Sequence, residues 1–229
     1  MPSRLKIHGN ESYTLNNVHL NLSFKTVNGV FDTTKKKSKD YYALLISKKA
    51  LSPCNGQKLK CEFDLSDDEL KQAFSLPHSI AFEPYVKAFQ YKVLNSILYT
   101  NYKLHKIGYV EDNTCSFCKL EPETLHHFLF YCSYVRLFWD EFESYYLSRT
   151  NQPVRLTLKD ICIGIISSEC PLLNYLLLIG KLYLRDCRRS NKLPDIAGFK
   201  VKVDIKYQIE KYVCTKNNKL AKFEWKLKR

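Results

Sequence analysis

The sequence predicts a mainly α-helical protein: a bundle-like helical scaffold with a small Cys-Cys-His-Cys knuckle between helices and little or no β-structure. Three observations predict it. Leu125, Phe128, Leu129, Cys132, Val135, Phe138, Trp139, Phe142 and Tyr146 recur in steps of three and four, the spacing of one helix face. Ser66-Asp67-Asp68-Glu69 has the form of a capping box, with Ser at the cap, Glu three residues on and acids in the first turn. Finally, Cys115-x2-Cys118-x8-His127-x4-Cys132 gathers four metal-type donors within eighteen residues.

The elements follow in order. Residues 1–32 read as a weakly structured N-terminal arm; Tyr13, Leu15, Val18, Leu20, Leu22 and Phe24 alternate only partly, as in an edge strand or a loosely docked segment. Residues 33–78 form a helical segment. A helix is expected from about Lys36 to Lys49 with Thr34 as its cap, then a loop over 51–61, then the helix capped by Ser66 and ended by Pro77. Residues 79–150 are the zinc-binding helical region. Pro84 opens a helix with Val86, Phe89, Val93, Leu94, Ile97 and Leu98 on one face. Thr100 caps a short helix that stops at Gly108, a residue suited to the C′ position. Beyond the knuckle, Ser133 is expected to re-cap the chain and split the aromatic run into two helices. Its aromatics read as core, since that spacing is commoner in cores than in base-stacking platforms.

Residues 151–229 are expected to be a basic C-terminal helical region and tail. Asn151-Gln152-Pro153 links to a short segment after Thr157. Leu172–Arg189 reads as a buried helix. Asp195–Asn217 reads as an amphipathic helix with Ile205, Ile209, Tyr212 and Val213 on its apolar stripe and Lys202, Lys206 and Lys211 outside.

Three thiolates and one imidazole suit Zn²⁺, which takes them tetrahedrally. Four protein ligands leave no open position for a substrate, so the spacing argues for a structural staple and against a zinc enzyme. His126 competes with His127, but on a helix the two point about 100° apart. His127 is preferred for its spacing to Cys132, leaving His126 as a surface or supporting residue. Ordinary buried thiols are an alternative, as is a redox Cys-x-x-Cys, which would want a βαβ setting that the pattern does not show. Cys54, Cys61, Cys162, Cys170, Cys187 and Cys214 form no compact ligand set and read as free thiols, suited to a reducing compartment.

Charge adds a second theme. The net charge is +13, and residues 181–229 hold 15 Lys/Arg against 5 Asp/Glu. That is the footprint of a polyanion, most simply nucleic acid. The candidate phosphate contacts are Lys35, Lys36, Lys37, Arg185, Arg188, Arg189, Lys202, Lys206, Lys222, Lys226 and Arg229. A solvated lysine-rich surface is the plainer account of the same residues. No apolar run approaches the ~20 residues of a membrane span, and no secretory leader pattern is present. The expectation is therefore an intracellular protein of nucleus or cytoplasm, with no membrane partner.

Lys87-Ala88-Phe89-Gln90-Tyr91-Lys92-Val93-Leu94-Asn95, Thr100-Asn101, Ile107-Gly108, Cys115-Ser116-Phe117-Cys118, Glu123-Thr124-Leu125-His126-His127 and Phe138-Trp139 together resemble the reverse-transcriptase zinc-binding region. That region belongs to the C-terminal part of LINE-type (non-LTR) retrotransposon polyproteins. The resemblance is strong over residues 80–147 and weaker on both sides. It implies binding of element RNA or target DNA, with a reverse transcriptase in cis or in trans. The family's aromatic-x-Asp-Asp polymerase motif is missing from this chain, as is a zinc deaminase signature. The expectation is a non-catalytic, zinc-stapled nucleic-acid-binding module. The alternatives are a zinc-stabilised protein-interaction module and a degenerate element fragment.

Overall fold

The computed structural model describes residues 23–26, 29–32, 39, 54–166 and 170–216. The chain divides into two units, Met1–Leu51 and Ser52–Arg229. In the first, β1 (Ser23–Thr26) pairs antiparallel with β2 (Gly29–Asp32), Ser23 opposite Asp32 and Thr26 opposite Gly29. Residues 23–26 and 29–32 of the expected arm thus have strand structure, and in the sequence Asn28-Gly29 is a hairpin-type dipeptide. The helix expected over 36–49 lies outside the described residues except for Lys39, which is helical.

The second unit is mainly α. Its helices are α1 (Cys54–Phe63), α2 (Asp67–Ile80), α3 (Pro84–Leu94), α4 (Asn101–Lys106), α5 (Ser133–Thr150), α6 (Leu158–Ile163), α7 (Pro171–Arg189) and α8 (Ile196–Lys216), with a π-helical turn at His127–Tyr131. Leu59, Leu65, Ala73, Phe89, Phe138, Leu177 and Phe199 share one continuous core. So three of the four segments read from the sequence contribute to it.

Several starts and stops follow local chemistry. Ser66 Oγ accepts from the Glu69 amide while Glu69 accepts from that of Ser66, closing the capping box. Thr157 and Asp160 repeat the device at α6. Four helices end on a residue with positive φ followed by a returning amide: Asp64 after α1, Ser96 after α3, Gly108 after α4 and Asn191 after α7. In each, the next amide reaches back over the last turn, as Tyr109 does to the Leu104 carbonyl at 2.9 Å. These are Schellman ends, which satisfy carbonyls the helix leaves open.

The structure corrects four local expectations. The loop expected over 51–61 is largely α1. Asn55 and Gly56 sit in a first turn, whose amides lack intrahelical partners anyway, while Leu59 is buried and Lys60 pairs with Asp67 at 2.7 Å. Pro77 does not end α2, which runs to Ile80. Pro77 and Ile80 are both buried, and the Pro77 carbonyl still accepts from Ala81 at 3.1 Å. Burial there outweighs one missing helical bond. Helix α3 stops at Leu94, so Ile97 faces solvent instead of continuing the stripe. At the start of α5 the cap position falls to Cys132, which is extended, one residue before Ser133.

Helix α7 is the centre, buried almost throughout from Leu173 to Leu184. Helices α3 and α8 pack on it. Phe199 of α8 enters an aromatic cluster, its ring centre 5.6 Å from Phe138, 5.5 Å from Phe142 and 6.1 Å from Tyr183. Helix α8 is rotated from the expected face. Its buried residues are Phe199, Val203, Glu210 and Cys214, whereas Ile205, Ile209 and Tyr212 are 52%, 42% and 66% exposed. Lys202 and Lys206 turn inward to Asp186 and Glu83, each at 2.6 Å. The inner face reads Phe199, Val203, Lys206, Glu210, Cys214, helically spaced but half polar, so hydropathy alone selects the wrong side.

Candidate metal centre

The loop after α4 places the first two cysteines. The Cys115 amide donates to Glu121 O at 2.7 Å, and the Lys119 amide returns to Cys115 O at 3.0 Å. Lys119 has φ +58°. This tight turn brings Cys115 and Cys118 to one side.

The other two come from a turn of unusual width. Thr124 Oγ1 accepts from the His127 amide at 3.1 Å, and the Cys132 amide closes on His127 O at 3.0 Å. The second bond spans five residues, the π pattern. On an α-helix, positions five apart lie about 140° apart around the axis. The wider turn brings the fifth residue back over the first, so His-x4-Cys becomes a chelating spacing. The turn also frees the Leu129 carbonyl, which accepts the Trp139 indole N–H at 2.8 Å.

Cys115, Cys118, His127 and Cys132 meet, with all four ligand atoms within 4.8 Å of one another. Cys115 Sγ lies 3.7 Å from Cys132 Sγ, and Cys118 Sγ lies 3.4 Å from His127 Nε2. A tetrahedral Zn²⁺ with standard bond lengths sets such pairs about 3.8 Å and about 3.6 Å apart. The donors therefore fit that ion. Cys115, His127 and Cys132 are buried and Cys118 is half-buried.

Sharing of one proton raises the Cys115 thiol and lowers that of Cys132; burial adds to the first, and amides of Val135 and Tyr134 assist the second. A divalent cation would take the place of that proton. His127 Nδ1 stands 3.0 Å from Glu121 Oε2, a partner that fixes the ring with Nε2 toward the sulfurs. His126 points elsewhere, its Nε2 3.0 Å from Glu62 Oε1 on α1.

A second network underlies the first. Glu123 is fully buried. It accepts from the Asn101 amide at 2.9 Å and the Ser116 amide at 2.8 Å, and pairs with Arg188 Nη2 at 2.9 Å. Arg188 also donates to Tyr99 O and Asn101 Oδ1, both at 2.8 Å. The end of α7, the start of α4 and the cysteine loop are thus tied by one carboxylate and one guanidinium. Asn101 and Glu123 stand among the motif residues with no role legible in the sequence. A buried acid carries no hydropathy signature of its own.

Fold and site together define a helical module built around a closed Cys₃His set. Residues 67–139 match the family described as zinc-binding in reverse transcriptase. All four donors fall in that stretch, about a third of the chain, which is thus similar to a reverse-transcriptase zinc-binding domain. No curated protein matches the chain.

The candidate phosphate contacts fare differently. Arg188 is the Glu123 clamp. Arg185 pairs with Asp186 and lies over the rings of Tyr85 and Phe89 at 4.7 and 5.3 Å. Lys202 and Lys206 are the inward ion pairs of α8. These four are occupied by the fold's own acids and rings. Arg189 is exposed. Lys35, Lys36, Lys37, Lys222, Lys226 and Arg229 lie outside the described residues. Among the described residues, no helix is long and apolar enough to cross a membrane.

Proposed function

We propose that this chain is a non-catalytic nucleic-acid-binding module whose helical scaffold is held by one Zn²⁺ on Cys115, Cys118, His127 and Cys132. The observation that carries the reading is the closed donor set: four protein ligands at tetrahedral spacings offer a metal no exchangeable position, so its contribution is mechanical. The polyanion half is supported by the +13 charge and by the similarity to a domain that accompanies reverse transcriptases. The likeness to LINE-type elements makes RNA or target DNA the natural ligand and a reverse transcriptase, in cis or trans, the natural companion, in nucleus or cytoplasm. Arg189, the Lys35–Lys37 run and Lys222, Lys226 and Arg229 remain as phosphate contacts in this reading.

Metal content of the purified chain, measured by mass spectrometry beside Cys115→Ser/Cys118→Ser, tests the first half. One zinc per chain is expected, lost in the variant together with helical signal. A folded wild-type chain without zinc would defeat it. For the second half, binding to a polynucleotide should weaken steeply with salt. Binding only to a protein, undiminished by salt, would favour a zinc-stabilised interaction module. One observation favours that alternative: Val201, Ile205, Ile209 and Tyr212 line an exposed flank of α8.

A further inference from the structure

Helix α4 is built in an unusual way. It has six residues and none is buried, so it cannot be held by an apolar face, and it is far too short to persist alone. It is held by polar bonds instead. Asn101 at its start donates its amide to Glu123 and its side chain to Thr114 O at 2.8 Å, while Arg188 grips the carbonyl of Tyr99 just before the cap. A buried ion pair fixes a helix that leaves Tyr102, His105 and Lys106 exposed.

That surface is specific in composition. Tyr99 is 65% exposed and Tyr102 45% exposed. Lys106, four residues on, shares the face of Tyr102, Lys103 is the next residue in the chain, and α4 contains no acid. Lys58 of α1 lies close enough that its charge, after burial, helps push the Lys103 amine down. Some lysines elsewhere are matched, Lys60 with Asp67, Lys71 with Asp68, Lys202 with Asp186 and Lys206 with Glu83, while others such as Lys87, Lys92 and Lys119 are in no ion pair among the described residues. Among the described residues no ion pair engages Lys58, Lys103 or Lys106. Lysines without an acidic partner, close in sequence to two open tyrosine rings, suit an anion that also carries flat apolar groups.

We propose that α4 is a single-strand docking surface, with Tyr99 and Tyr102 stacking on bases and Lys58, Lys103 and Lys106 contacting the flanking phosphates. This rests on the nucleic-acid reading above and narrows it to one surface and one form of polynucleotide. Stacking needs unpaired bases, and it is sequence-tolerant because every base has a π-face. The 2′-hydroxyl is not addressed by these groups, so RNA and DNA single strands share the site.

The test uses the zinc-loaded full chain and fluorescence anisotropy with labelled oligouridine, oligothymidine and a duplex, each over a salt series. Tyr99→Ala/Tyr102→Ala should weaken both single strands by about 5- to 150-fold per ring, with an unchanged salt slope. Tyr99→Phe/Tyr102→Phe should restore binding. Lys58→Gln/Lys103→Gln should reduce the salt slope by about 1.4, roughly 0.7 for each lost contact. Tyr99, Tyr102 and Lys58 are exposed and Lys103 is half-buried, and zinc content with far-UV circular dichroism checks the fold. Wild-type binding that the alanine pair leaves intact would overturn this surface and spare the broader reading. Wild type that binds none of the three probes would overturn both. Self-association in sedimentation, lost in the alanine pair and with no polynucleotide bound, would make α4 a protein contact and overturn the proposal.

Discussion

Arg188→Met separates two accounts of one side chain. As a phosphate contact, its loss should leave stability alone and lower the salt slope of binding. The structure assigns it otherwise. Its guanidinium, 17% exposed, faces a Glu123 side chain that is 0% exposed, at 2.9 Å, and also holds Tyr99 O and Asn101 Oδ1. Removing one partner of a buried pair leaves an uncompensated charge and costs about 3–5 kcal/mol. Urea unfolding followed by circular dichroism should show that loss. Arg189→Met, one residue on and exposed, should stay within about 0.5 kcal/mol of wild type. Adding Glu123→Gln to Arg188→Met should recover part of the loss, because the amide carries no charge and its oxygen can still accept from one of the two backbone amides, Asn101 or Ser116. If Arg188→Met unfolds like wild type while losing polynucleotide affinity, the clamp is wrong and Arg188 belongs at an interface.

Other tests address the core and the metal. Lys181 is wholly buried, donates to Gln90 at 2.5 Å, and has its pKa lowered by burial from 10.5 to about 7. Below pH 7 both folded and unfolded chains carry its proton and the burial cost is full. Between about pH 7 and 10.5 the folded state sheds the proton while the unfolded state keeps it, so stability rises with pH, by up to about 5 kcal/mol. Urea midpoints of wild type and Lys181→Met should converge across that window; parallel curves would refute the assignment. Gly180→Ala would place a Cβ 2.8 Å from Trp139 Cη2, and overpacking of that kind costs about 1–3 kcal/mol; an unchanged thermal midpoint would mean that the indole yields freely. Glu121→Gln should weaken zinc by about 10- to 100-fold in a chelator competition, and unaltered affinity would remove Glu121 from the orientation of His127.

Much of the scaffold could be read because the signals are local. Ser66 and Glu69 close a capping box whatever surrounds them, and Gly108 marks a helix end by its own conformational freedom. Phe128, Phe138, Trp139 and Phe142 announce a buried face by spacing alone. The four donors were legible for the same reason, lying within eighteen residues. The π-turn that brings His127 and Cys132 together was not, because the apolar steps around it fit an α-helix equally well. Nor was the facing of α8, whose buried side carries Lys206 and Glu210. Both polar groups need partners from the distant connection between α2 and α3, Glu83 and the Phe82 amide, and periodicity cannot report on partners 123 or more residues away.

Charge shows this limit most clearly, and it bears on where a polyanion would sit. Counting by segment puts the basic excess in residues 181–229. Yet Arg185, Arg188, Lys202 and Lys206 are held by Asp186, Glu123 and Glu83, so part of that excess is already neutralised inside the fold. The segment from 71 to 180, neutral by count with 10 residues of each sign, is where α4 leaves Lys103 and Lys106 unmatched. A net charge measures how strongly a chain attracts a polyanion from a distance. The contact itself falls where cations stay unpaired at the surface. Here the Glu123–Arg188 pair links the two: it withdraws one arginine from solvent and uses it to hold α4, with its tyrosines and lysines, against the cysteine loop. On that account the metal, the buried pair and the exposed helix form one mechanical unit, and losing the zinc should loosen α4 before it melts the α7 core.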